Sequence, residues 1–383
     1  MPWKETSPMR ERFRFIDDLE SSLYTMTEVC EWHDISRKTG YKWAERYVAD
    51  GLDGLRDRSR APKSCPHRME EYISEALLAT RREHPSWGPR KLLAYQQLRH
   101  PDWAFPAAST VGDLLKRHGL VNPRRRRRRL QHPSRVKVEP AQRANDLWSV
   151  DFKGEFRTGD RRYCYPLTVA DRYSRYLLGC AGLASTASVG AWSVMESLFR
   201  EYGLPGAIVS DNGCPFSSTG LGGLSRLSVR WIQLGIRPVL IDPGHPEQNG
   251  GHERMHRTLK EETTRPPAAD REAQQRRFDS FRKCFNEERP HEALGQRPPA
   301  AAYEASPRAY PERLEEIEYP GHYEVRSVRS SGEIKWQGQR LFVTEVLIGE
   351  RVGLEETADG VWSVYFGPLL LGRFDERERR LRG

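Results

Sequence analysis

Three carboxylates stand where side chains can leave a fold and meet a ligand. Asp151 lies in the β-rich run Leu147-Trp148-Ser149-Val150-Asp151-Phe152. Asp211 follows the short apolar run Ala207-Ile208-Val209-Ser210 and precedes Asn212-Gly213. Glu253 comes after Ile241–Gly251, a stretch broken by Pro243, Gly244 and Pro246 and loosened by Asn249-Gly250-Gly251. The three are 60 and then 42 positions apart. Hard oxygen donors suit Mg²⁺ or Mn²⁺, ions that keep open positions for water and phosphate. Two such ions can clamp the attacking and leaving oxygens of an in-line phosphoryl transfer.

The same stretch offers a second chemistry. His252-Glu253-Arg254-Met255-His256 matches H-E-x-x-H, in which two histidines one helical turn apart hold zinc and the glutamate acts as base. Three features oppose it. The sequence HERMHRTLKEE reads as charged nearly all round, where a zinc-binding helix packs in a core. No third ligand follows at the extended spacing. The rest of the chain carries the charge pattern of a polyanion binder.

The elements that must position these residues are legible in outline. Glu253, His256, Arg257, Leu259 and Lys260 fit a helix with Glu253 near its start, where the dipole favours a carboxylate. Strand-like runs are Leu147–Phe152, Tyr163–Ala170, Tyr176–Ala184, Ala207–Ser210 and Arg237–Ile241. Ala191, Trp192, Met195, Leu198 and Phe199 make the apolar stripe of a helix between the third and fourth strands, and a second helix spans Gly222–Leu234. Hairpins followed by strand–helix alternation give a mixed sheet. Another helix, residues 271–288, turns Phe278, Phe281 and Phe285 inward. Asp171 also follows a strand and is a rival ligand, with an ion pair to Arg172 or Arg175 the better expectation. His291 reads as a capping or core residue with DNA contact as the alternative.

The runs WSVDFKGEF, TVADRYSRY, IVSDNGCPF, PGHPEQNGGHERMHRTLK and NEERPHEALGQRPPAAAY resemble the catalytic core of bacterial insertion-sequence transposases over about residues 145–305. That family belongs to the retroviral-integrase superfamily. The resemblance implies an RNase H-like fold and a D-D-E triad of Asp151, Asp211 and Glu253, serving as catalytic residues and as ligands of Mg²⁺ or Mn²⁺, two ions in all. Glu253 holds its place six residues before Leu259 of Thr258-Leu259-Lys260, with Glu247 in the same loop as the alternative. The glutamate stands further from the second aspartate than in many relatives, and the extra length falls around Ser217–Leu227.

Upstream of this core the chain is basic. Residues 1–144 hold 29 Lys and Arg against 19 Asp and Glu; the remainder holds 33 against 34. All of the net charge of +9 therefore lies in the first part, which points to a polyanion partner. Residues 1–60 read as a helix-turn-helix domain: helices over 8–22, Thr27–His33 and Ser36–Asp50, with Ser36 as N-cap and Gly51 as stop. Ala44, Tyr47 and Val48 are expected in its core, and Arg37, Lys38, Thr39 and Lys42 on the DNA-facing side of its third helix. Residues 66–122 read as a second helical module with Met69, Tyr72, Ile73, Ala76, Leu77 and Thr80 inward, Pro89 opening a helix and Ser109 or Thr110 capping the last. Its Trp87-Gly88-Pro89-Arg90-Lys91 resembles the family's second helix-turn-helix and offers Arg90 and Lys91 to DNA; a dimerising helical domain is the rival reading. Residues 123–144 form a linker whose Arg124, Arg125, Arg126, Arg127, Arg128 and Arg129 suit phosphate contacts.

Residues 320–383 change to short β-rich runs with hairpin signals at Ser331-Gly332, Gln337-Gly338 and Asp359-Gly360, read as a small SH3-like β-barrel. The six cysteines are scattered, with no C-x-x-C, so neither a disulfide framework nor a zinc knuckle is suggested. No run reaches the ~20 apolar residues of a membrane span, and no secretory signal is read, so a bacterial cytoplasmic, nucleoid-associated protein is expected. The expectation is a multidomain α/β DNA transposase that cuts element ends and joins them to target DNA as a homo-oligomer, a dimer or larger on paired double-stranded ends. The alternatives are a zinc hydrolase and a DNA-binding regulator with an inactive core.

Overall fold

The computed structural model describes residues 6–59, 69–121, 140–218, 220–242, 245–377 and 381–382. The arginine run 124–129 lies outside them, as does the side chain of Glu247. The chain divides into two compact units, Met1–Arg68 and Met69–Gly383.

The first unit holds α1 (Pro8–Glu20), α2 (Met26–Trp32) and α3 (Arg37–Asp50). Each start is capped: Ser7 accepts from Arg10 N–H, Thr25 and Glu28 form a reciprocal box, and Ser36 accepts from Thr39 N–H. Phe15, Ile16, Val29, Cys30, Trp43 and Leu55 form the core. The inward face of α3 is Gly40, Trp43, Ala44 and Tyr47; Val48, expected inside, is 85% exposed. The expectation was misplaced by one position around the helix. Gly40 lets α2 and α3 approach, since a Cβ there would lie 2.4 Å from Cys30 Sγ. Arg37, Lys38 and Lys42 stay exposed and Thr39 half-exposed, with Lys42 Nζ 4.6 Å from the centroid of the Trp43 ring.

The second unit opens with three helices, α4 (Glu71–Glu83), α5 (Pro89–Arg99) and α6 (Ala108–Arg117). They close on Ile73, Leu77, Trp87, Leu92, Val111 and Leu115. Pro89 is at the first turn of α5, as expected; α6 starts two or three residues earlier than the Ser109 or Thr110 cap would place it, with Ala107 at its N-cap and no side-chain cap. Tyr72, expected inside, is half-exposed and sets its ring edge on Trp103.

The catalytic-core region is a mixed sheet. Its strands are β1 (Leu147–Phe152), β2 (Phe156–Arg157), β3 (Tyr163–Asp171) and β4 (Leu177–Leu183), then α7 (Ser188–Tyr202), β5 (Ala207–Ser210), α8 (Arg226–Gln233) and β6 (Arg237–Leu240). β4, β3 and β1 are antiparallel neighbours; β1, β5 and β6 run parallel, and the two-residue β2 pairs the start of β3. Trp148, Val150, Leu167 and Val169 face α7 and α8. The other face takes α9 (Gly250–Thr263) and α10 (Arg271–Glu287), through Met255, Leu259, Phe278, Phe281 and Phe285. Alternation along β1 thus sends Trp148 and Val150 to one layer, Ser149 and Asp151 to the other. This element order is that of an RNase H-like core.

The C-terminal strands are β7 (Glu324–Ser327), β8 (Glu333–Trp336), β9 (Gln339–Phe342), β10 (Arg351–Ala358), β11 (Val361–Phe366) and β12 (Leu369–Asp375). The expected closed barrel is corrected: the described strands make a four-stranded sheet, β12-β11-β10-β7, and a separate β8-β9 hairpin, without a continuous ladder. Both pack on one core that also takes Leu224, Val229 and Ile232 from the α8 region. The extra segment before α8 makes this seam. Gly222, in the left-handed region, lets the loop press on Leu371, 3.1 Å from where a Cβ would stand.

Candidate active site

Asp151 and Asp211 are brought together by strand register. Leu147 pairs with Ala207 and Ser149 with Val209 on the parallel strands β1 and β5. Asp211 comes just past the end of β5 and its charge acts on Asp151, and the spacing of 60 between the two acids equals the offset of the β1–β5 pairs. Asp211 leaves the end of β5 in a tight turn, where its Oδ1 accepts from Gly213 N–H at 3.2 Å and Asn212 Nδ2 donates to Ile241 O at 2.7 Å.

Glu253 arrives on the first turn of α9, exposed. The preceding loop is fixed by Gln248, which donates to Asp242 Oδ2 at 2.6 Å and accepts from Asp242 N–H at 2.9 Å. Arg172 Nη2 donates to Gln248 O at 2.8 Å. Burial raises the Asp151 carboxyl to about 7, and the charges of Asp211 and then Glu253 push it in the same direction. Lys153 and a backbone N–H at Phe152 act against this without cancelling it. Among the described residues no Arg or Lys forms a salt bridge with Asp151, Asp211 or Glu253. Carboxylates whose charges reach the buried Asp151, without a salt bridge to Arg or Lys among the described residues, suit a divalent cation with oxygen preference.

The two histidines answer the zinc question. Far from being charged all round, α9 has a buried face of His252, Met255, His256, Leu259 and Thr263. The polar residues counted on the helix are real, but they occupy its other sides. His252 Nδ1 meets Ser149 Oγ at 2.8 Å, and Thr168 Oγ1 meets both His252 Nε2 and His256 Nε2 at 2.6 Å. Thr168 is the cross-strand partner of Asp151, and Ser149 precedes Asp151 by two, so all three share one face of the sheet. Burial and then Arg172 lower His252 to about 3; burial, then the His252 ring and then Lys153 lower His256 to about 2, so both are neutral. A run of contacts, Ser149–His252–Thr168–His256, therefore ends with His256 Nδ1 3.7 Å from Asp151 Oδ2. His252 spends both ring nitrogens and His256 its Nε2 on hydroxyls, whereas His256 Nδ1 is left facing Asp151, so that Asp151, His252 and His256 each bring a possible ligand atom within 4.8 Å of the others; Glu253 is exposed and not among them. His252 and His256 entered the sequence reading only as a zinc motif, and the roles of Ser149 and Thr168 escaped it. The signal was there in the i, i+4 spacing, which also serves to bury two imidazoles.

The other sequence candidates separate. Asp171 is at the far end of β3, opposite Trp148, and its ion pair with Arg172 or Arg175 does not form. Its oxygens accept instead from Asn145 N–H, Ser174 N–H and Ser174 Oγ–H at 2.9, 2.8 and 2.6 Å. Arg90 pairs with Glu292 at 3.2 Å across to the core, and Lys91 is half-buried beside Arg289. His291 sets its ring against Phe285, centroids 4.7 Å apart, as a packing residue.

Known families match nearly every part of this chain. Integrase core domain families cover residues 141–246 and 234–299. A helix-turn-helix domain covers 12–63, a homeodomain-like domain 39–115, and the IS481 family transposase C-terminal domain 323–382. Together they define a protein with DNA-recognition helices before an integrase core. The insertion element IS476 39.2 kDa protein of Xanthomonas euvesicatoria is 30% identical over 65% of this chain and 69% of its own length. The insertion element IS407 31.7 kDa protein of Burkholderia multivorans is 25% identical over 60% of this chain and 79% of its own. The Gag-Pol polyprotein of baboon endogenous virus is 35% identical over 31% of this chain, but only 6% of the polyprotein is covered. Among solved structures, a chain of the simian T-cell lymphotropic virus intasome aligns with 78% of this chain and 97% of its own at 16% identity and a TM-score of 0.38. The chain belongs to the insertion-sequence transposases with an integrase core, and its function is that of a DNA transposase.

Proposed function

We propose that Asp151, Asp211 and Glu253 are the catalytic carboxylates and that they hold two Mg²⁺ or Mn²⁺ ions for cutting element ends and joining them to target DNA. What supports this is that the charges of Asp211 and Glu253 both act on the buried Asp151 carboxyl, and that among the described residues no Arg or Lys forms a salt bridge with any of the three acids. Bound there, the ions would supply activation of the attacking oxygen and stabilisation of the leaving 3′-oxygen. Asp151, Asp211 and Glu253 would be the residues that hold them. The neutral His256 ring braces Asp151 from behind, so the carboxylate does not rotate toward the sheet. Water acts as nucleophile in cutting and a terminal 3′-OH in joining, and no covalent protein–DNA intermediate is required.

Double-stranded DNA, both element ends and target, is the partner, and two ends joined in one event call for a dimer or larger assembly. Arg37, Lys38, Thr39 and Lys42 on α3 read the ends in the manner of a recognition helix, and the arginine run 124–129 adds phosphate contacts. No described helix is long and apolar enough to cross a membrane, in keeping with work on DNA in the bacterial cytoplasm. The test is a joining assay with the element's terminal-repeat DNA. Asp211→Asn is expected to bind the ends as wild type does and to form no joined product in Mg²⁺. Joining by that variant at wild-type rate would overturn the assignment.

A further inference from the structure

A cleft of about 630 Å³ lies beside α9, among the turn after β3, the 289–293 loop and the start of α5. Asp151, Asp211 and Glu253 do not line it; Arg254 and Arg257 present the adjoining flank of the same helix. Six cations border it: Lys91, Arg172, Arg175, Arg254, Arg257 and Arg289. The acids there are already engaged. Asp171 is saturated by backbone and Ser174 donors, and Glu292 is paired with Arg90 at 3.2 Å. Glu261 has a contact of its own. Of the cations, only Arg289 has a salt bridge among the described residues, to Glu262 at 2.9 Å. Arg172 spends Nη2 on Gln248 O, while its buried Nη1 has no hydrogen-bond partner, and neither has His291 Nε2 on the cleft wall.

Cations gathered without acids repel one another, and the groups register it. Burial and then Arg289 lower Lys91 to about 8. Burial and then Arg175 lower Arg172; burial and then Arg254 lower Arg175. Folding an uncompensated positive cluster is costly unless an anion is to enter it. The cluster is also assembled from two places in the chain, since Lys91 comes from the helical module and the arginines from the core.

We propose that this cleft binds backbone phosphates of the DNA on which the transposase acts. A helix is about 10 Å across, and a stacked strand advances ~3.4 Å per nucleotide. A phosphate in the cleft is therefore about three nucleotides along from one held at the carboxylates on the other flank of α9. Arginine forks and a lysine point charge recognise phosphodiester oxygens without reading bases, so the contact is independent of sequence. Lys91 joins the helical module to this contact, which couples docking of that module to engagement of DNA by the core.

The inference rests on the reading of the chain as a DNA-cutting transposase, and the experiment separates the two. Full-length wild type, Arg254→Gln and the Arg175→Gln/Arg254→Gln pair are titrated with a 30-base-pair random-sequence duplex from 50 to 200 mM salt. Each lost contact should flatten the slope of log affinity against log salt by about 0.9, which removes a 3- to 4-fold share of the salt effect over that range. The pair should remove about a tenfold share, while Arg276→Gln, on the solvent side of α10 and paired with Glu272, changes nothing. Arg254 is exposed, so its variant folds even if the pair does not. Inorganic phosphate is the second probe. Unchanged slopes in Arg254→Gln, or phosphate protecting the wild type against heat while duplex affinity is indifferent to both variants, would overturn the proposal. Either result leaves the carboxylate assignment standing, because Mg²⁺-induced stabilisation reports on Asp211 and not on this cleft.

Discussion

Replacing Asp211 by asparagine should make the metal-free protein more stable above neutral pH while removing its activity. Asp151 is about one-fifth exposed and its carboxyl is raised from 3.8 to about 7 by burial, then by Asp211, then by Glu253. An acid raised on folding keeps a proton that the unfolded chain has lost, so stability falls as pH climbs from about 4 through 7. Above that window the native state carries Asp151 and Asp211 charged on neighbouring strands, ~4.8 Å apart along the sheet. Carboxylates about 6 Å apart at an effective dielectric of about 20 repel by about 3 kcal/mol, and salt and solvent reduce this to about 1–3 kcal/mol. Asparagine removes the charge and keeps an oxygen to accept from Gly213 N–H. Urea unfolding in EDTA should therefore show the variant about 1–3 kcal/mol more stable than wild type at pH 8, a difference that shrinks toward pH 5, where the wild-type Asp151 is protonated and no longer repels Asp211. Mg²⁺ should reverse the order at pH 8, because only the wild type gains binding energy. A variant no more stable than wild type at pH 8 in EDTA would refute the claim that these two carboxylates repel across the β1–β5 pair.

Thr168→Val deletes the hydroxyl shared by His252, His256 and Asp151 O, and should cost about 1–3 kcal/mol in urea unfolding because buried imidazole nitrogens lose their partner. A cost below about 0.5 kcal/mol would mean the hydroxyl contacts are incidental. Purified wild type should contain no stoichiometric zinc by elemental analysis, and His256→Ala should lower activity without altering the preference for Mg²⁺ or Mn²⁺; zinc bound one to one and lost in that variant would revive the hydrolase reading. Arg37→Ala should weaken binding to terminal-repeat DNA by ~1–3 kcal/mol and relax preference at one base position. An equal loss on random DNA would reduce Arg37 to a phosphate contact.

The sequence by itself determined the parts and their order. Alternation, apolar stripes and capping residues are local properties, so five strands of the core could be placed to within a few residues and the C-terminal domain could be read as short strands joined by hairpins. The order of the three carboxylates and the resemblance that ties them together were also legible. The fine choice of face was not: Val48 and Tyr72 lie at the edges of helical stripes, where a shift of one position decides between core and water. Only the tertiary structure decided what the two histidines of α9 do. Their spacing serves a metal and a buried hydrogen-bonded pair equally well, and the difference is whether Ser149 and Thr168 face them from strands 103 and 84 residues away. It likewise decided that Asp171 turns into its own loop, and that cations from the helical module and the core share one cleft. Such outcomes depend on which long-range surfaces meet, and short-range pattern carries no record of that.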